Sequence, residues 1–96
     1  MTEFMRVISL QNEKMKNAMI SECEGHVLLL LSYKEKGKSF YNLKRILSDL
    51  AFDEDSVEES VQSLKTEGYI RYNKRMWFLT DDGQKLLKDI ATVEEA

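Results

Sequence analysis

Few residues in this chain have the types and spacing that chemistry needs. Cys23 and His26 are its sole cysteine and sole histidine. Three positions apart, they fall on one face if the segment is helical. That is the beginning of a Cys–His nucleophilic pair. Such a pair also needs an exposed cleft and a third group that orients the imidazole, and no residue at a fixed spacing supplies one. Cys23 therefore reads as a small buried apolar residue and His26 as a surface or boundary residue. One cysteine makes an intramolecular disulfide impossible, and one Cys with one His does not build the common zinc site. The 17 acidic residues fall into no metal-binding or acid–base motif. The four glycines form no phosphate-binding loop. No catalytic residue, no metal and no cofactor is expected, and the chain does not read as an enzyme.

What remains is charge and aromatic surface. Positive charge gathers at Lys34, Lys36 and Lys38, at Lys44 and Arg45, and at Arg71, Lys74 and Arg75. The last group lies beside the adjacent aromatics Trp77 and Phe78, which point to opposite sides if the segment is a strand. Negative charge concentrates at Asp53, Glu54, Asp55, Glu58 and Glu59. Over the whole chain the formal net charge is -3 and the pI about 5.2. That balance disfavours tight nonspecific binding to a polyanion, although a local basic patch can still act.

These residues must be held by a small scaffold. With 96 residues, 43% hydrophobic and 32% charged, the chain suits one soluble globular domain. The apolar run from Val27 to Leu31 is far too short to span a bilayer. Acidic Glu3 and the absence of an apolar leader speak against a signal peptide. A cytoplasmic location without membrane attachment is the expectation.

Capping signals divide the chain. Ser21 and Glu24 form an S-x-x-E box that opens a first helix over residues 21–33. Val27, Leu28, Leu30 and Leu31 make its broad apolar face, and Gly37 is its stop. Ser39 caps a second helix over 39–50, with Phe40, Leu43, Ile46, Leu47 and Leu50 at helical spacing. A short connection through Ala51 and Phe52 leads to Asp53, which caps a third helix ending near Glu67. Val57, Val61 and Leu64 line one face, and Gly68 ends it. The period then changes. Ile70 and Tyr72 alternate with Arg71 and Asn73, residues 73–75 make a tight turn, and Met76 to Leu79 return as a strand. Thr80 caps a last helix carrying Leu86, Leu87 and Ile90. Residues 1–20 form an extension, with Phe4, Val7, Ile8 and Leu10 suiting either a helix or a strand. It holds Met1, Met5, Met15 and Met19 and serves either dimer formation or packing on its own domain. Residues 21–92 are the domain, and 93–96 are expected to fray.

The order helix, helix, helix, hairpin, helix, with a very short turn between the second and third helices, resembles winged-helix regulators of the MarR-like and PadR-like kind. The resemblance rests on Val27-Leu28-Leu29-Leu30-Leu31, on Ser39-Phe40-Tyr41-Asn42-Leu43, and most on Leu64-Lys65-Thr66-Glu67-Gly68-Tyr69-Ile70. That segment is followed by Trp77-Phe78-Leu79-Thr80-Asp81-Asp82-Gly83-Gln84-Lys85-Leu86-Leu87. This passage is similar to the family's L-x-x-x-G-Y-I … F-x-L-T-x-x-G pattern. The resemblance implies a mainly α fold with a small two-stranded β hairpin (α+β), a winged helix-turn-helix. It also implies a DNA-binding transcriptional regulator of double-stranded DNA, acting as a homodimer. The third helix would then present Asp55, Ser56, Glu59, Gln62 and Ser63 outward. Ser56, Gln62 and Ser63 would meet base edges, and Arg71, Lys74 and Arg75 of the wing would meet phosphates or the minor groove. The chain departs from that pattern in the acidic start of the third helix. This feature suits a second reading, a protein-binding adaptor or inhibitor whose acidic helix meets a basic protein partner.

Overall fold

The computed structural model describes residues 6–32 and 38–95. The expected helix end at Tyr33 and Gly37, the cations Lys34 and Lys36, and Met1, Phe4 and Met5 lie outside the described residues. The fold is mainly helical with a small two-stranded antiparallel hairpin, an α+β class. In chain order the elements are β1 (Arg6–Leu10), α1 (Asn12–Asn17), α2 (Glu22–Ser32), α3 (Phe40–Asp49), α4 (Glu54–Thr66), β2 (Ile70–Asn73), β3 (Met76–Leu79), α5 (Asp81–Ile90) and β4 (Ala91–Glu95). The third helix expected from the sequence is thus α4.

Each long helix starts where a polar side chain takes up a free backbone N–H. The Glu24 amide donates to Ser21 Oγ at 3.1 Å, and the Ser21 amide donates to Glu24 Oε1 at 3.0 Å, which completes the capping box of α2. Ser39 accepts from the Asn42 amide at 3.2 Å, Asp53 from the Ser56 amide at 2.7 Å and Thr80 from the Gly83 amide at 3.0 Å. Thr80 does more than cap. Its hydroxyl donates to the Gly68 carbonyl at 2.7 Å and its amide to the Tyr69 carbonyl at 3.0 Å. The start of α5 is thereby docked on the turn that leaves α4. Gly68 takes φ +82° there, a conformation that costs a side-chain-bearing residue about 1–2 kcal/mol.

Val27, Leu28 and Leu31 place α2 at the centre, packed against α3, α4, α5 and β3. Leu43 and Leu47 of α3, Val57, Val61 and Leu64 of α4, Ile70 of β2 and Leu86, Leu87 and Ile90 of α5 close the core around it. Burying each such side chain favours folding by roughly 1.5–3 kcal/mol. Leu50 departs from the expected stripe. It lies past the end of α3 and is exposed, because the chain turns there. The amides of Ala51 and Phe52 reach back to the carbonyls of Ser48 and Leu47, both at 3.0 Å, and Ala51 adopts φ 70°.

The C-terminal end of the described chain corrects the sequence reading. Residues 93–95 do not fray. With Ala91 and Thr92 they form β4, antiparallel to β1 in the register Arg6↔Glu95, Ile8↔Val93 and Leu10↔Ala91. The pairing satisfies backbone groups that a lone tail would leave to water. At the other end, Arg6–Leu10 form a strand and Asn12–Asn17 a short helix, both joined to their own domain. Leu10 packs on the core, Met15 is buried, and the Gln11 amide donates to the Ile90 carbonyl at 2.9 Å. Met19, by contrast, is 89% exposed.

Candidate functional site

The hairpin is shorter at its tip than the sequence suggests. Asn73 belongs to β2 and pairs with Met76, so Lys74 and Arg75 alone make the turn. A two-residue turn between twisted strands needs positive φ, and the residues that adopt it at least cost are Asn and Gly. Here Lys74 has φ 50° and Arg75 φ 67°. The tip thus carries two long cations in a conformation that penalises each by roughly 1–2 kcal/mol. Both are exposed, and neither enters an ion pair among the described residues. Backbone strain of this kind clusters at active sites, ligand clamps and switch regions.

The two faces of the hairpin differ. Ile70 and Trp77 are buried toward the core, and Leu79 is partly buried against it. Phe78 is half-buried on the other face, where the Arg71 guanidinium lies 4.7 Å from its ring centre. Arg71 and Phe78 are cross-strand partners, so this stack fixes the arginine on the outer face. The backbone of Trp77 pairs with that of Lys38 at 2.7 and 3.0 Å, which ties β3 to the chain leading into α3.

A shallow open cleft of about 350 Å³ lies between the hairpin, α4 and the first turn of α3. Phe40, Tyr72 and Trp77 form its aromatic walls, and Glu58, Val61, Gln62 and Lys65 form the α4 side. The Tyr72 and Trp77 rings stand 4.8 Å apart at 53°, and Lys65 Nζ sits 5.9 Å over the Trp77 ring. Trp77 is 5% exposed, and its indole N–H has no hydrogen-bond partner among the described residues. The sequence reading missed this cleft. Its signal was the Tyr72–Trp77 pairing across a two-residue turn, hidden because Asn73 was counted in the turn.

The expected base-contacting residues do not share one flank of α4. Helix spacing places Val57, Ser60, Val61 and Leu64 inward, as their burial shows. Gln62 is exposed on the flank that lines the cleft. Ser56 and Ser63, seven positions apart, lie on the opposite flank. Ser56 is half-buried there, and its carbonyl accepts from Cys23 Sγ at 3.7 Å. Asp55, Glu58, Glu59 and Gln62 are all exposed on the outer part of the helix. Among the described residues, only Glu54 of the α4 carboxylates has a cation, Lys44 Nζ at 3.3 Å. Each uncompensated carboxylate held about 8 Å from another anion in water costs about 0.5 kcal/mol before screening. Together they set a modest but directional barrier against a polyanion at the start of α4.

Cys23 and His26 are turned to separate partners. Burial pushes the Cys23 thiol above its ordinary pKa, only partly offset by a hydrogen bond with Ser60. His26 Nδ1 lies 2.7 Å from the Glu22 carbonyl, and its ring packs 5.4 Å from that of Phe52. Among the described residues no group of three His, Cys, Asp or Glu side chains is placed to hold a metal ion. No described helix is long and apolar enough to cross a membrane.

No family model and no curated protein matches this chain. What the site can do therefore follows from its own geometry.

Proposed function

We propose that this protein is a winged-helix domain that binds double-stranded DNA as a transcriptional regulator, and that it acts as a binding module and not as an enzyme. In this reading α3 and α4 are the helix-turn-helix, α4 is the recognition helix and the β2–β3 hairpin is the wing. The observation that carries it is the wing tip. Lys74 and Arg75 occupy positive-φ positions where Asn and Gly would be more stable, and both are exposed with no ion pair among the described residues. Cations kept at such a cost suit phosphate or minor-groove contact. The reading includes a homodimer, so that two copies meet two half-sites. Sedimentation velocity should then show a species of twice 11.2 kDa, and a monomer at micromolar concentration and on DNA would remove that part.

Fluorescence anisotropy with a labelled random-sequence duplex tests the DNA reading. Binding at low salt that weakens as salt rises supports it, since counterion release governs such contacts. A second reading, a protein-binding adaptor, is favoured by Asp55, Glu58 and Glu59, which are exposed and have no ion pair among the described residues. It takes precedence if the duplex does not bind at low salt while a labelled arginine-rich peptide binds and is lost on Glu58→Gln with Glu59→Gln.

A further inference from the structure

The charges of α4 are ordered along its axis. Glu54, Asp55, Glu58 and Glu59 occupy its first six residues, whereas the outward and wing-facing positions after them are Gln62 and Lys65. A recognition helix ordinarily offers its N-terminal residues to the major groove, and here that end is the acidic one. Gln62 and Lys65 share the cleft with Tyr72 and Trp77, and Glu58 is the one acidic residue of the first half that also lines it, so it is chiefly the second half of α4 that continues into the wing. Ser56 and Ser63 sit on the flank away from it.

We propose that the DNA footprint is displaced. The duplex is met by the wing and by the second half of α4, while the acidic first half stays outside the major groove. The inference rests on the DNA-binding reading above and deepens it by naming the contact surface. Lys74 and Arg75 at the tip and Arg71 on the outer face neutralise phosphates, with Lys65 as the neighbouring cation on α4. Gln62 is the α4 side chain left to reach a base edge, and a carboxamide pairs best with adenine. Ser56 has no part in the contact.

The footprint predicts a shallow salt dependence. Each neutralised phosphate contributes about -0.9 to the slope of log K against log salt. Four cations therefore give a slope of about -3 to -4, well short of the value for an extended interface of 6–10 phosphate contacts. The variant Lys74→Asn with Arg75→Gly is the decisive one. It places at the tip the residues that the backbone conformation favours, so its melting temperature should rise while its affinity for the duplex falls tenfold or more. Its slope should become shallower by about 2. A loss of binding in a better-folded protein excludes unfolding as the cause.

Glu58→Gln with Glu59→Gln supplies the opposite arm. If the first half of α4 is outside the groove, screening limits the gain in affinity to about threefold or less, and Ser56→Ala leaves binding unchanged. Tightening of tenfold or more in the glutamine variant, or a loss on Ser56→Ala equal to that of the tip variant, would overturn the displaced footprint and leave the DNA reading standing. No binding by the unsubstituted protein at micromolar concentration and low salt would instead overturn the DNA reading, and the footprint with it.

Discussion

Replacing Gly83 by alanine should destabilise the protein, although helix propensity alone argues the reverse. Gly83 lies in the first turn of α5, where alanine would ordinarily favour the helix by up to about 1 kcal/mol. A Cβ built there overlaps the carbonyl oxygen of Tyr69 and stands 2.7 Å from Leu79 Cδ1. The approach is imposed by the Thr80 bonds to Gly68 and Tyr69. A backbone carbonyl cannot rotate away as a side-chain end can, so α5 must lift off the turn. Overpacking of this kind costs about 3 kcal/mol at the upper end of its usual range. Subtracting the propensity gain leaves a loss of about 2 kcal/mol, or a drop in melting temperature of roughly 8–16 °C for a domain of this size. Gly25→Ala is the internal control. Its Cβ would meet Met15 Sδ at 2.5 Å, the soft part of a flexible side chain, and the propensity gain within α2 offsets the adjustment. Thermal melts followed by circular dichroism measure both. If Gly83→Ala melts at or above the unsubstituted protein, or if Gly25→Ala is the more damaging change, the argument from the α5 docking is refuted.

Ala51 holds φ 70° in the turn between α3 and α4, so Ala51→Gly should raise stability by about 0.5–1 kcal/mol, visible as a melting temperature a few degrees higher. Backbone and side-chain hydrogen bonds from Ser56 hold the Asp53 carboxyl below its ordinary pKa. Its stabilising contribution is therefore present above the ordinary carboxylate pKa and is lost as pH falls through the lowered folded value. Urea melts of the unsubstituted protein and Asp53→Ala should differ most near neutral pH and converge as pH falls below the ordinary carboxylate range; a gap that stays constant with pH would contradict the assignment. Cys23 is buried with its thiol pKa raised, so the native thiol should react slowly with an aromatic disulfide reagent at pH 8. The rate should climb with urea in step with unfolding, whereas full-rate labelling of the native protein would mean that the thiol is accessible.

Much of the fold was legible in local sequence because its signals are short-range. Ser21 with Glu24, Ser39, Asp53 and Thr80 each cap a helix within three residues of themselves, and Gly68 ends α4 at positive φ. The apolar spacing of Val57, Val61 and Leu64 fixes the inward face of α4 whatever it packs against. The same holds for the exposed carboxylates, which lie opposite that face by helix geometry alone. The presence of cations between Tyr72 and Trp77 was equally plain.

Tertiary structure decided what depends on partners distant along the chain. No local pattern says that β1 pairs with β4, because the ladder joins residues more than 80 positions apart and either strand alone reads as a tail. The cleft needed the fold to bring Phe40, Gln62 and Trp77 together from three elements. Gln62 and Ser56 look equivalent in sequence, yet one faces the β2–β3 hairpin and the other the start of α2, since neighbouring elements cover the two flanks of α4 differently. The strain at Lys74 and Arg75 appeared only when the strand register shortened the turn to two residues. Composition and period set which surfaces exist; the packing of distant elements set which of them stand side by side.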